Sequence, residues 1–298
     1  MKLRRVVLSN PVHRMQYGVA FLCRRYQVAR SGFYAWKAHA GSQRRRNDEE
    51  LGVQIAHLYR GNRGRYGSPR VHQQLRRMGI RCSNKRVARL MREQGLRARV
   101  SRLYRRSSGV HRFFEKTGNL RLDQPVPTRT DQIWVGDLTY LRLGKHWRYL
   151  ATVMDLFSRR IIGWTLARNR TTDVTLRALK RAIALRGPRP GLLFHSDRGI
   201  EYSAYGYQDF LRSRGIVPSM NRPRNCQDNA HMESFFHSLK AELTHQRSFT
   251  SDAELNASVA AYIDRFYNEK LIHSSLGYHS PVEFECLAHA QQSVHQIG

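Results

Sequence analysis

The sequence predicts a mixed α/β domain behind a basic, helical N-terminal region. Three observations lead there. Lys and Arg number 52 against 22 acids in 298 residues, a formal charge of +30. The excess lies at the front: residues 1–125 hold 30 basic and 6 acidic side chains (+24), and residues 126–298 hold 22 and 16 (+6). Between residues 132 and 167, three segments rich in β-branched and aromatic residues follow one another across short turns, the pattern of an antiparallel meander. Helical and short apolar stretches alternate after them, which describes a mixed sheet with helices on its faces.

The charge excludes an ordinary balanced surface and calls for an anionic partner, nucleic acid or an anionic membrane. No apolar run reaches the roughly 18 residues of a transmembrane helix, and MKLRRVVLSNPVHRMQ lacks the apolar stretch of a secretory signal. Cys23, Cys82, Cys226 and Cys286 form no CxxC pair. Neither a zinc knuckle nor a disulfide scaffold is expected, and a reducing cytoplasm is the expected location.

In the first half, residues 15–30 and 48–60 are short helical candidates, the second with Leu51, Ile55 and Leu58 on one face. GNRGRYGSPR (61–70) is a Gly/Pro-rich break. Val71, Leu75 and Met78 suit a short helix that Gly79 can end. Ser83 or Asn84 can cap the next, whose apolar positions are Val87, Leu90 and Met91. Two short helices across a tight turn outline a helix-turn-helix, with Lys85, Arg86, Arg89 and Arg92 on its basic face. Residues 97–130 read as a basic linker, with a domain boundary near 125–130.

In the second half, strands are expected at 132–143, 146–159 and 160–167. Thr171 or Thr172 can cap a helix bearing Leu176, Leu179 and Ile183, which stops at GPRPG (187–191). A short strand at 191–197, a helix at 203–214 and a strand at 215–220 follow. Asp228 or Asn229 can cap a helix through 243 whose buried stripe is Met232, Phe235, Phe236, Leu239 and Leu243; another helix spans 253–267. Trp134, Trp147, Trp164, Phe235 and Phe236 are expected to pack in the core rather than stack on bases.

Asp137 lies inside an apolar strand, where an unpaired carboxylate is costly unless a cation or a wet cleft receives it. Asp197 ends its strand, where open α/β sheets place ligand groups. On neighbouring strands the two backbones are ~5 Å apart, so both carboxylates can share a divalent ion. Glu233 sits beside the apolar stripe of its helix. Three carboxylates make a hard oxygen site suited to Mg²⁺ or Mn²⁺. Phosphoryl transfer needs such a set, because two cations ~3.5–4 Å apart align the attacking and leaving oxygens and neutralise the phosphate.

WVGDLTYL (134–141), HSDRGIEY (195–202) and NCQDNAHMESFFHSLKAE (225–242) resemble the signatures of the second-reading-frame products of split-frame bacterial insertion-sequence transposases. These belong to the superfamily of DDE transposases and retroviral-type integrases. The 35 residues between Asp197 and Glu233 match the group's catalytic spacing. YGSPRVHQQLRRMGIRCSNKRVARLMREQGLRA (66–98) resembles its helix-turn-helix, SGFYAWKAH (31–39) its usual start, and YNEKLIHSSLGYHSPVEFE (267–285) its tail. This chain departs from the group at Leu271, where Arg is usual, at Ile200-Glu201, and at Pro223-Arg224.

The resemblance implies a ribonuclease-H-like core and a catalytic, metal-binding triad of Asp137, Asp197 and Glu233. It implies Mg²⁺ as cofactor, two ions per site, with Mn²⁺ as substitute. Asp155 is the rival for the first acid and takes a supporting role in the group. His195 and His231 flank two of the acids and are expected to hydrogen-bond around them or to be simply solvent-exposed, and no zinc is expected. The implied activity is end cleavage and strand transfer of an insertion sequence; a ribonuclease-H-like nuclease and a non-catalytic DNA-binding relative are the alternatives. The implied partners are double-stranded DNA, as element ends and target, further copies of the chain in a synaptic complex, and an upstream-frame protein by fusion or association. DNA contacts are expected from Arg70, Lys85, Arg86, Arg89 and Arg92, and from Arg224 and Lys240 near Glu233. The expected division is a basic helical region at 1–60, the helix-turn-helix at 61–98, a linker at 99–129, the catalytic core at 130–245, and a C-terminal helix and tail at 246–298.

Overall fold

The computed structural model describes residues 11–38, 43–98, 119–121, 124–222, 229–244 and 247–295. Five strands make one mixed sheet. β1 (Ile133–Leu143) pairs antiparallel with β2 (His146–Asp155), and β2 antiparallel with β3 (Ile161–Ala167). β4 (Leu193–Ser196) and β5 (Val217–Met220) add in parallel on the other side of β1, giving the order β3-β2-β1-β4-β5. The meander expected from the sequence is therefore present, and the short strands that follow it complete the sheet.

Side-chain alternation along β1 builds both layers. Ile133, Val135, Leu141 and Leu143 join one core with Met232, Phe235 and Leu239, whereas Trp134 joins the opposite core with Val174, Ala178, Tyr207 and Leu211. The crossover helix lies hard against β3. At Gly163 a Cβ would meet the Ala178 carbonyl oxygen at 2.3 Å, so only glycine allows this approach.

The helices are α1 (Pro11–Arg25), α2 (Arg30–Ala38), α3 (Gln43–Gly61), α4 (Ser68–Arg77), α5 (Asn84–Glu93), α6 (Thr172–Arg186), α7 (Ile200–Ser203), α8 (Tyr205–Ser213), α9 (Ala230–Leu239), α10 (Asp252–Ala260) and α11 (Pro281–His295). The single helix expected at 15–30 is instead α1, broken at Gly18 (φ 67°), and a separate α2. α9 and α10 both widen into π turns, at Lys240–Thr244 and Ala261–Tyr267. α11 has no counterpart in the sequence reading. Ser83 caps α5, its hydroxyl accepting the Arg86 N–H at 3.2 Å. Met78, expected on the apolar face of α4, is exposed at the helix end.

The helix-turn-helix packs against the C-terminal tail. Val71, Leu75, Val87 and Leu90 share a core with Tyr262, Tyr267, Leu271 and Ile272. The Tyr66 hydroxyl donates to the Lys270 carbonyl (2.9 Å), and Arg70 Nε donates to that of Ile272 (3.0 Å). Arg65 and Glu242 form a buried ion pair at 3.6 Å. Leu271, where the resembling group carries Arg, is thus a core residue. Among the described residues no helix is long and apolar enough to cross a membrane.

Candidate active site

β4 stops at Ser196, whose register partner is Gly136 on β1. The next residues along each strand are Asp197 and Asp137. Beyond Gly136, β1 has β2 on one side and no strand on the other. The two acids therefore stand side by side in a notch at the C-terminal end of β4, as the sequence predicted.

Half-buried Asp137 accepts the Leu138 N–H at 2.7 Å. Burial pushes its carboxyl up to about 8; the charges of Asp197 and Glu233 add to that, while the Leu138 N–H and Lys240 oppose it. Burial also raises Asp197, with the charge of Glu201 adding and the Gly199 N–H and Arg170 opposing. The Gly199 N–H lies 3.0 Å from Asp197 Oδ1. A Cβ on Gly199 would come within 2.9 Å of that oxygen and 2.8 Å of Glu201 Oε2, so a larger residue there would push both carboxylates aside.

Glu233 is exposed on α9, beside the buried stripe of Met232, Phe235 and Phe236. Asn229 reaches from the start of α9 to the Gly136 carbonyl (3.4 Å), tying the helix to β1 beside Asp137. Among the described residues, no three His, Cys, Asp or Glu side chains are gathered closely enough to hold a metal ion. The donor set nevertheless fits a hard divalent cation: the side chains on offer are carboxylates, and burial together with the neighbouring charges of Asp197 and Glu233 raises Asp137 above the usual carboxylate range, a cost that a bound cation would relieve. Lys240 belongs to the same neighbourhood. Its ammonium lies 4.3 Å from the Tyr140 ring centroid, and burial lowers its pKa against the pull of Asp137.

Asp155 has a different task. One carboxylate oxygen accepts the Asp131 N–H and the other the Phe157 N–H, each at 2.8 Å. It fixes the turn after β2, and burial raises its carboxyl to about 6. Buried His195 is spent on Ser219 (2.9 Å) and Asn221 (2.6 Å). His231 is pushed down to about 4 by burial and by Arg159 and Arg121.

The basic candidates divide. Arg86 and Arg89 both close on Asp48 of α3 at 2.6 Å, a partner the sequence reading did not foresee. Lys85 and Arg92 are exposed. Arg70 holds the tail, and Arg224 lies outside the described residues. Sequence reasoning also missed the ion pair of Arg170 with Glu201 beside Asp197, because 31 residues separate the partners and no pattern links them. Trp147, expected in the core, is 47% exposed and makes an edge contact with Tyr140, itself 55% exposed.

Comparison with known proteins gives the family of the chain. A model of an HTH-like domain matches residues 45–104, and two integrase core domain models match residues 127–226 and 214–281. The uncharacterized 31 kDa protein of insertion element IS600 from Shigella sonnei is 37% identical over 88% of this chain and 97% of its own length. The transposase InsF for insertion sequence IS3A of Escherichia coli (strain K12) is 36% identical over 92% and 96%. Among solved structures, the HTLV-2 integrase catalytic core domain in complex with magnesium aligns with 53% of this chain and 97% of that one, at 19% identity and TM-score 0.40. With more than a third of the aligned positions identical to these relatives along almost their whole length, the chain belongs to the IS3-type insertion-sequence transposases, in the DDE transposase and integrase superfamily.

Proposed function

We propose that this transposase cuts the ends of its insertion sequence and joins them to a second DNA strand, with Asp137, Asp197 and Glu233 as its catalytic carboxylates. The observation that supports the assignment is that Asp137 and Asp197 each follow the last register pair of β1 and β4, with the charges of Asp197 and Glu233 both felt at Asp137. Mg²⁺, with Mn²⁺ as substitute and two ions per site, is the cofactor this reading requires; it supplies neutralising charge and acidifies the attacking oxygen. Asp137, Asp197 and Glu233 would hold it.

The chain's own residues set the rest. Gly199 and Arg170 orient the acids at the β4 end. Lys240 offers a cation beside Asp137 for a non-bridging phosphate oxygen. In the first step water attacks the phosphodiester at the element end; one P–O bond forms, another breaks, and a 3′ hydroxyl leaves. In the second, that hydroxyl attacks a phosphodiester of another strand and expels its 3′ oxygen. Each step conserves the number of P–O bonds, so no external energy source is required. The basic helical half grips DNA largely by releasing counterions. Joining two ends requires two active sites, so copies of the chain act together, with the upstream-frame protein fused or associated.

The experiment is joining of duplexes bearing the element's ends in Mg²⁺. The proposal predicts cut ends covalently linked to a second strand. Cleavage without joining would point to a nuclease, and end binding without either to a DNA-binding protein.

A further inference from the structure

We propose that Tyr140 and Trp147 form a stacking platform for an unpaired base of the DNA strand held at the acids, next to the phosphate being cut. The proposal rests on the active-site reading above and adds a substrate-distorting surface to it.

Both residues sit on the β1–β2 hairpin, where Tyr140 faces Tyr149 and Trp147 faces Arg142 in the strand register. Their rings meet edge to face at 5.0 Å and 84°. This contact stabilises the hairpin, yet it leaves Tyr140 55% and Trp147 47% exposed, whereas Trp134 and Trp164 of the same sheet are buried and half-buried. Their surroundings are cationic. Lys240 lies 4.3 Å from the Tyr140 ring centroid and Arg142 lies 6.0 Å from that of Trp147.

The position is specific. Tyr140 is three residues from Asp137, ~10 Å along the strand, within reach of an unstacked base beside the phosphate held at the acid. Alternation sends the two side chains to opposite faces of β1. However, β4 ends at Ser196, so no strand pairs with β1 on the side between them. Lys240 spans that edge, acting on Asp137 and lying over Tyr140. A phosphodiester seated at Asp137 and drawn along Lys240 carries its neighbouring base to the Tyr140 ring.

Aromatic rings beside cations are the composition of single-strand binding surfaces, where bases stack and phosphates pair with the charges. A base inside a duplex has both faces covered by its neighbours, so the platform takes one that has been unpaired. A second copy of this chain is the poorer occupant, because its formal charge is +30 and it would meet Lys240 and Arg142 with like charge.

The test compares two end duplexes bound by the full-length protein without divalent ions. One is fully paired; the other carries three mismatched pairs beside the cleavage position. Wild type should bind the mismatched end about tenfold more tightly, since its unpairing cost is already met. Tyr140→Ala and Trp147→Ala should lose that preference, and Tyr140→Phe and Trp147→Phe should keep it. If the Ala variants misfold, Tyr140→Leu and Trp147→Leu retain the bulk and should also lose it. Absence of the preference in wild type, or its persistence in the Ala or Leu variants, would overturn the platform. So would a change of oligomeric state in those variants with the preference intact. The acid assignment fails separately: Asp137→Asn would then still join ends, whatever the preference shows.

Discussion

Arg170 closes on Glu201, with Nε 2.5 Å from Oε1 and Nη2 3.1 Å from Oε2, and the pair stands beside Asp197. The two partners act oppositely on that carboxyl: Glu201 raises it and Arg170 lowers it. Arg170→Ala should therefore raise Asp197 further and move the acid limb of the pH–rate profile for joining to higher pH, with joining near neutrality slowed about tenfold, equivalent to ~1.4 kcal/mol. Adding Glu201→Gln to Arg170→Ala should return the limb toward its original position. An unmoved limb in the single variant would show that the pair only braces the fold.

Asp137 makes a stability prediction. Its folded pKa of about 8 lies above the ~3.9 of an unfolded aspartate. The folded state thus binds the proton more tightly. The stability this contributes is full below the unfolded pKa and is lost as pH rises through the folded one. Without divalent ions, wild-type Tm should decline toward about pH 8, and Asp137→Asn should flatten that decline and raise Tm by a few degrees there. Mg²⁺ should raise Tm in wild type and much less in Asp137→Asn. Thermal scans across pH test both; equal slopes in the two proteins would contradict the buried-charge account.

Asp48 holds Arg86 and Arg89 at 2.6 Å each, so it competes with DNA for two cations of the helix-turn-helix. Asp48→Asn should strengthen duplex binding severalfold at low salt and steepen the salt dependence by roughly two phosphate contacts. Binding titrations at several salt concentrations decide it. An unchanged slope would assign both arginines to packing α5 on α3. Replacing Lys85, Arg86 and Arg89 together with Ala should weaken binding and leave the catalytic fold intact.

Glu242 and Arg65 are both buried where the helix-turn-helix meets the core, and Tyr262 donates its hydroxyl to Glu242 at 3.2 Å. Glu242→Ala leaves the guanidinium without its counter-charge, which should cost about 3–5 kcal/mol in denaturant unfolding. Replacing both partners together with Met and Leu should recover most of the loss. A single-variant cost no larger than that of an exposed pair would mean that water reaches Arg65.

The strands and the helical hairpin were legible because each leaves a local pattern, and so was the juxtaposition of Asp137 and Asp197 at the ends of neighbouring strands. β1 alternates, Asp137 interrupts an apolar run, and Asp197 and Glu233 keep the family spacing. What escaped depends on chain segments far apart in sequence. Asp48 finds Arg86 and Arg89 only after α3 packs on α5, and Arg170 finds Glu201 only after α7 docks beside the sheet. Trp147 misled because strand residues usually pack inward. The hairpin outruns β4, and at its far end the face bearing Leu141 and Leu143 is covered while the face bearing Tyr140 and Trp147 is left exposed. The π turns after α9 and α10 were invisible because their apolar periodicity continues that of the helices before them. Leu271 stood out only as a departure from the usual Arg, and it fills the core between the tail and the helix-turn-helix.

The central claim is that three carboxylates on β1, after β4 and on α9 form one catalytic set while Asp155 fixes a turn. The most direct measurement is the single-turnover rate of end joining in Mg²⁺ for Asp137→Asn, Asp197→Asn, Glu233→Gln and Asp155→Asn, each shown to be folded and to bind element ends like wild type. The account predicts at least a hundredfold loss for each of the first three, or ~2.7 kcal/mol at the transition state, and a smaller loss for Asp155→Asn. Near-wild-type joining by any of the three would remove that acid from the set, and a larger loss at Asp155 than at Asp137 would move the first catalytic acid to Asp155.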